Sequence, residues 1–76
     1  MNNDRRNRIA LLISEMDDIT ARIEALQEEE QEAYDAMPEG LQSSERGEQA
    51  YGAADALSNA ASYANDIRDY LDNARQ

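Results

Sequence analysis

Three glutamates spaced four residues apart are the arrangement in this sequence closest to a catalytic or metal-binding pattern. Glu24, Glu28 and Glu32 would share one stripe of a helix. Paired carboxylates can act as general acid and base, or hold a metal ion, when they converge in a cleft. Helical bundles that hold two metal ions also need inward-facing Glu-x-x-His pairs, and the chain contains no histidine. We therefore interpret the stripe as a solvated acidic face.

Nucleophilic catalysis and phosphate binding also lack their usual residues. The chain has neither cysteine nor histidine, so its serines have no candidate base beside them. Gly40, Gly47 and Gly52 do not match the spacing of the Walker or dinucleotide-binding loops, and acidic residues surround them. We predict that the protein is not an enzyme and uses no cofactor and no metal.

Heptad spacing of apolar residues predicts two long helices. Helix 1 is expected over about 4–36 and helix 2, which is rich in alanine, over about 45–74. The expected seam of helix 1 consists of Ile9, Met16 and Ile23 at one position and Leu12, Ile19 and Leu26 at the other, with Ile13 alongside. The expected seam of helix 2 consists of Ala50, Leu57, Ala64 and Leu71 at one position and Ala53, Ala60, Ile67 and Ala74 at the other.

The segment 37–44 is predicted to be the loop between the helices. Pro38 disfavours helical geometry at the residue before it, and Gly40 follows two residues later. Ser43 or Ser44 can cap the second helix. The whole chain is therefore expected to be one all-α domain, an antiparallel two-helix hairpin that resembles an alanine-rich coiled coil.

Folding the chain about this loop sets Met16 near Ala64 and Leu26 near Ala54, so that large residues face small ones. A two-helix core with so much alanine buries little apolar surface. We therefore expect a homodimer in which two hairpins form a four-helix bundle. The predicted dimer strip consists of Leu12, Ile13, Tyr63 and Tyr70.

Charge restricts the possible partners. Seventeen acidic residues against seven arginines give a net charge of −10, which repels nucleic acid and anionic membranes and favours basic protein surfaces. The longest apolar run, from Ile9 to Ile13, is far too short to span a membrane. The lack of cysteine favours a cytoplasmic location.

The acidic residues concentrate around the predicted loop. Nine acids and one arginine lie between Glu24 and Glu48, which gives a local net charge of −8. Acids near the C-terminal end of a helix oppose its dipole and repel one another, so we interpret their position as a sign of partner binding. The candidate partner-binding residues are Glu28, Glu29, Glu32, Asp35, Glu39, Leu41, Glu45, Arg46, Glu48 and Tyr51.

Two glycines in the first turns of helix 2 need a separate explanation. Gly47 and Gly52 each cost about 1 kcal/mol relative to alanine inside a helix. Either the backbones approach closely beside the loop, or the glycines clear space for a contact patch that includes Arg46 and Tyr51. The sequence leaves both alternatives open.

The run YDAMPEGLQSSERGE, from Tyr34 through Glu48, resembles a loop in small hypothetical proteins of bacteriophages and prophages, which are predicted helical hairpins. The second helix of this chain is richer in alanine and poorer in glutamate than in that group. The family has no assigned activity, so the resemblance implies a phage-related origin, and hence the cytoplasm of a bacterial host, but no mechanism.

Three functions compete at this point. The first is a small acidic, non-enzymatic accessory protein that binds another protein. The second is an acidic nucleic-acid mimic that inhibits a host defence or DNA-binding protein, as anti-restriction and anti-CRISPR inhibitors do, with affinity that falls as salt rises. The third is a purely structural coiled-coil spacer, for which the heptads alone suffice.

Overall fold

Two long helices pack side by side in the computed structural model, which describes residues 2–76. α1 runs from Asn3 to Asp35, a short α2 from Glu39 to Gln42, and α3 from Glu45 to Arg75. α1 packs along α3, and the molecule measures 59 × 14 × 12 Å. The described residues form helices and no strands, so the predicted all-α class is confirmed. None of these helices is long and apolar enough to cross a membrane.

Side chains cap both long helices at their N-termini. The Oδ1 atom of Asn2 accepts a hydrogen bond from the backbone N–H of Arg5 at 2.8 Å. The hydroxyl of Ser44 accepts one from the backbone N–H of Gly47 at 3.4 Å, so the predicted cap of the second helix is confirmed at Ser44. Each cap satisfies a backbone donor that the first turn of a helix leaves free.

The predicted loop 37–44 is partly wrong because it contains the single-turn helix α2. Pro38 is the N-cap of α2, with φ −56° and ψ 148°, and its carbonyl accepts hydrogen bonds from the N–H groups of Leu41 (2.8 Å) and Gln42 (3.1 Å). The side-chain amide of Gln42 donates to the carbonyl of Tyr34 at 3.1 Å. These bonds fold the loop into a turn that is attached to the end of α1.

The side of α1 that faces α3 differs from the prediction. Ile9, Met16 and Ile23 (the Ile9 column) are half-buried, as expected. The second seam position is taken by Ile13, Thr20, Gln27 and Tyr34 (the Ile13 column), in which Ile13 and Thr20 are buried. Leu12, Ile19 and Leu26 (the Leu12 column) are 42 to 52% exposed, so their placement in the seam was wrong.

The prediction that Ile13 belongs to the dimer strip is also wrong, because this side chain is only 5% exposed and packs inside the hairpin. Its column packs in the seam although two of its members, Thr20 and Gln27, are polar. The Thr20 hydroxyl donates to the carbonyl of Met16 at 2.8 Å, so it needs no water once it is covered. The apolar arc of α1 is three columns wide, and α3 covers only two of them.

On α3 one seam position was predicted correctly and the other was not. Ala50, Leu57, Ala64 and Leu71 (the Ala50 column) are buried or half-buried. The second position is occupied by Gly47, Ala54, Ala61 and Arg68 (the Gly47 column), which includes three buried small residues. The predicted Ala53, Ala60, Ile67 and Ala74 (the Ala53 column) lie mostly outside, and Ile67 is 49% exposed. Ala54 and Ala61 face α1, where their small side chains allow a close approach of the two backbones, and Gly47 lies against α2.

The pairing of the helices differs from the predicted register by about one helical turn. Arg68 Nε lies 3.2 Å from Asp17 Oδ1, whereas the prediction placed Ala64 at that level. The Tyr34 and Tyr51 rings meet with the same offset. The first turn of α3 packs against α2 and not against α1. The pairing of α3 with α1 therefore begins about one turn later along α3 than it would after a loop without α2.

We predict that Asp17→Asn lowers the free energy of unfolding by less than about 1 kcal/mol. The Asp17 and Arg68 side chains are 56% and 38% exposed, so water screens their attraction. Chemical denaturation followed by circular dichroism measures the change. Asp18→Asn is the matched control, because Asp18 is exposed and has no arginine within ion-pair distance among residues 2–76. A loss above about 2 kcal/mol for Asp17→Asn alone would contradict this interpretation.

Candidate functional site

Two tyrosines, one on each long helix, pack together at the loop end of the hairpin, defined here as residues 24–48 with the adjoining turn of α3. The rings of Tyr34 and Tyr51 lie 5.6 Å apart in an edge-to-face arrangement, with an interplanar angle of 61°. Such pairs stabilise beyond the area they bury. Tyr51 is nevertheless 58% exposed, so a large part of this ring faces solvent.

An open groove lies beside these rings. It has a volume of about 340 Å³ and is lined by Tyr34, Gln42, Ser43, Glu48 and Tyr51. The groove combines aromatic surface with one carboxylate and several groups that can donate or accept hydrogen bonds.

All ten candidate partner-binding residues are exposed. The structure distributes them over three elements, with four on the last turns of α1, two on α2 and four on the first turns of α3. Glu48 and Tyr51 line the groove, whereas Glu29 lies on the outer flank of the Leu12 column. The set therefore surrounds the loop end and does not converge on one point.

The carboxylates of the loop end have no arginine partners among residues 2–76. The ion pairs within this range are Asp4 with Arg8, Asp17 with Arg68, and Asp72 with Arg75, all away from the loop. Asp35 accepts one hydrogen bond, from Gln31 Nε2 at 3.1 Å. The negative charge of this end is therefore not neutralised within the described hairpin.

The stripe of Glu24, Glu28 and Glu32 was the sequence pattern closest to a metal site. Glu24, Glu28 and Glu32 are each exposed on α1. In the part of the chain that the structure describes, no group of three or more acidic residues is arranged to hold a metal ion. What these side chains offer is a spread of negative charge.

The two glycines of α3 have different surroundings. A Cβ on Gly47 would collide with the backbone carbonyls of Leu41 and Gln42, so α2 and α3 approach too closely for any side chain. For Gly47 the close-approach explanation is confirmed. A Cβ on Gly52 would meet no atom within 4 Å, so close approach does not explain that glycine.

The sequence interpretation missed Tyr34 and Gln42, which line the groove. Tyr34 follows Ile13, Thr20 and Gln27 at seven-residue spacing, so the spacing was visible, but the two polar members of the column hid it. Gln42 reaches the groove because it lies in α2, and the sequence pattern predicted a loop over these residues.

A second feature of the molecule is an uncovered apolar surface. The Leu12 column, together with Ile67, Tyr63 and Tyr70 on α3, is between 42 and 75% exposed. Three of the four predicted dimer-strip residues, Leu12, Tyr63 and Tyr70, belong to this surface. Large exposed apolar surfaces commonly mark interaction sites.

The run from Tyr34 to Glu48 that resembles phage hairpin proteins forms the end of α1, all of α2 and the start of α3. Comparison with protein-family models, with curated proteins and with solved structures finds no match for this chain. The resemblance stays a prediction.

Proposed function

We propose that this chain is a small acidic accessory protein of phage or prophage type that acts in the cytoplasm of a bacterial host by binding another protein with its loop end. The observation that carries the proposal is the set of exposed loop-end carboxylates without arginine partners around a groove bordered by Tyr34 and Tyr51. In this proposal the protein performs no catalysis, carries no cofactor and contacts neither nucleic acid nor membrane directly.

The energetics favour a partner with a basic surface. Between Glu24 and Glu48 there are nine acidic residues and one arginine. The acidic side chains repel one another, and no ion pair within the described hairpin neutralises them. A surface rich in lysine or arginine would remove this repulsion and speed the encounter. Tyr51 would supply aromatic contact area, because tyrosine is enriched among the interface residues that contribute most of the binding energy.

Capture from a bacterial host lysate tests the proposal. We expect Glu45→Gln combined with Glu48→Gln to recover about tenfold less of the specific partner than the parent chain, since Glu48 lines the groove and Glu45 is exposed in the same first turn of α3. Asp66→Asn combined with Asp69→Asn is the matched control, because it removes the same charge from exposed positions far from the loop. Equal recovery by both variants, or no specific partner at all, would contradict loop-end binding.

A nucleic-acid mimic is the second candidate function, supported by the distribution of exposed carboxylates around the whole loop end. In that case the partner would be a DNA-binding or defence protein, and added DNA would displace the chain. Its capture would decrease steeply between low and high salt, because carboxylates would replace phosphates. A partner retained at high salt favours docking in the groove. A spacer without a partner is the remaining alternative.

We also propose that two hairpins associate into a four-helix bundle. The buried apolar residues of the described chain are Ile13, Ala54, Ala61 and Ala64, which is a small core for two helices of this length. Burying the exposed leucines, isoleucines and tyrosines would supply the missing apolar contact. Sedimentation at micromolar concentration is expected to give twice the chain mass of 8.5 kDa. A monomer mass would contradict association.

A further inference from the structure

We infer that the uncovered apolar surface packs against the same surface of a second copy of the chain, and that the two copies run antiparallel. This inference rests on the proposed association of two hairpins and adds the face, the orientation and the centre of the interface. Each copy would place its arginine-bearing N-terminal end beside the acidic loop end of the other.

The polar side of the hairpin is identified by a hollow of about 150 Å³ between the helices. It is lined by members of the Ile13 and Gly47 columns, Gln27 and Ala54, and by Gln31, Tyr51, Asp55 and Ser58. The Ile13 and Gly47 columns therefore lie toward this side of the seam. Because Tyr51 also lines the candidate groove, the groove opens on the same side.

The Ile9 and Ala50 columns consequently lie toward the opposite side of the seam. On a helix with heptad spacing, the Leu12 column comes next to the Ile9 column, and the Ala53 column comes next to the Ala50 column. Both outer columns thus belong to one side of the hairpin, which we call the apolar face. Its large members are Leu12, Ile19, Leu26 and Ile67, with Tyr63 and Tyr70 along its α3 edge.

This side is the one that a four-helix bundle needs. In a square four-helix bundle each helix contacts two neighbouring helices, and the two contact surfaces lie about a quarter of the way around the helix axis from each other. On α1, the Leu12 column lies about that far from the seam with α3. A second hairpin laid on the apolar face would cover the exposed leucines and isoleucines and would leave the groove at Tyr51 open.

Charge on α1 supports a second copy as the occupant of the face. The outer flank of the Leu12 column alternates in sign at seven-residue spacing. Its members are Arg8, Glu15, Arg22 and Glu29, all of them exposed. Among residues 2–76, Arg8 forms an ion pair only with Asp4, and the other three form none.

Two α1 helices packed antiparallel about Ile19 would pair these charges. Leu12 of one copy would then lie opposite Leu26 of the other. At the flank, Arg8 would meet Glu29 of the second copy, and Glu15 would meet Arg22. Opposite signs meet at every flank position, an arrangement that sets partner choice and orientation in coiled coils.

The register between α1 and α3 independently supports a two-fold axis at the level of Ile19. The ion pair of Asp17 with Arg68 sets Ile19 level with α3 at about residue 66. A two-fold axis through Ile19 therefore passes within about one residue of Ile67. Ile67 would meet its own copy, and Tyr63 would meet Tyr70 of the second copy.

The alternative is a bundle in which the two copies are parallel. That arrangement would place the loop ends side by side, each with a net charge of −8 between Glu24 and Glu48. It would also set the alternating flank of α1 against uncharged Tyr63 and Tyr70. Repulsion between the loop ends disfavours the parallel arrangement.

Single cysteines test the orientation, since the chain has none of its own. Under mild oxidation, Ile19→Cys is expected to form a disulfide-linked dimer, because residue 19 would lie at the two-fold axis. Leu11→Cys is the matched control. Leu11 is 60% exposed and lies outside the apolar face, so this variant should stay largely uncrosslinked.

Each outcome of this experiment has one meaning. Crosslinking of Ile19→Cys well above the Leu11→Cys control supports the antiparallel arrangement. A dimer mass without that crosslink, or crosslinking only when Ile19→Cys is mixed with Ile67→Cys, overturns the orientation but leaves association standing. A monomer mass overturns both. Equal partner capture by the loop-end and control variants would contradict only the proposed partner binding, because Glu45 and Glu48 lie outside the apolar face.

A charge exchange tests the flank. Arg22→Glu would place like charges opposite each other at two symmetric positions, and we expect the dissociation constant of the dimer to rise about tenfold at low salt. Adding Glu15→Arg restores opposite signs and should bring the constant back toward the parent value. If the double variant dissociates as readily as the single one, the proposed pairing is wrong. Sedimentation equilibrium measures all three chains.

Discussion

Gly47→Ala is expected to lower the free energy of unfolding by about 2 to 3 kcal/mol, although alanine is normally the better helix residue. The new Cβ would collide with the backbone carbonyls of Leu41 and Gln42. Backbone atoms cannot rotate away as a flexible side chain can, so α2 must shift. That shift would also disturb the Ser44 hydroxyl, which donates to the Leu41 carbonyl and caps α3 at Gly47.

Gly52→Ala provides the matched control for this prediction. Nothing lies within 4 Å of the position that a Cβ would take there. The substitution should therefore raise the free energy of unfolding by about 0.5 to 1 kcal/mol through helix propensity alone. Urea denaturation at one fixed protein concentration measures both changes. If both variants gain stability, the close approach of α2 to α3 is not present in solution.

Ile13→Ala is expected to cost about 2 to 4 kcal/mol. Ile13 is only 5% exposed and is the one large aliphatic residue among the buried apolar residues of the described chain. Its truncation removes apolar contact and leaves a cavity between α1 and α3. Thermal unfolding followed by circular dichroism should show a marked fall in the midpoint.

Leu11→Ala is the control for Ile13→Ala. Leu11 is 60% exposed, so its truncation should change the free energy of unfolding by less than about 1 kcal/mol. The comparison also decides between the two seams, because a seam through Leu12 would leave Ile13 at its edge. Similar small losses for both variants would favour the seam that the sequence pattern predicted.

The two surfaces of the hairpin are suited to different tasks. The polar side contains the groove beside Tyr34 and Tyr51, whereas the opposite side contains the apolar face. In the proposed antiparallel dimer, Glu29 would be paired with Arg8 of the second copy and would leave the partner-binding set. Glu48 and Tyr51 would stay accessible, so a partner could bind at both ends of an elongated dimer.

The candidate site was predictable in composition but not in arrangement. Exposure of the ten candidate residues followed from their charge and from their position around a helix break. The groove did not follow, because it depends on Tyr34 meeting Tyr51 across the hairpin and on Gln42 being held by the Tyr34 carbonyl. Those contacts depend on the register of two helices, which no local pattern determines.

The sequence by itself determined the local features of this protein. Heptad spacing predicted two long helices, Pro38 predicted the break between them, and Ser44 was one of two predicted caps. Each of these depends on interactions within a few residues of the chain, so each could be predicted without knowing the fold.

Only the tertiary structure decided which apolar columns meet and at what level. Helix 1 offers three adjacent columns that contain large apolar residues, and the choice depends on how closely another helix can approach each of them. Ala54 and Ala61 allow the closest approach, so they face the Ile13 column, and the packing of α2 on Gly47 shifts the register by about one turn. The Leu12 column was left outside as a result, and that displaced column is the surface on which we propose that a second copy packs.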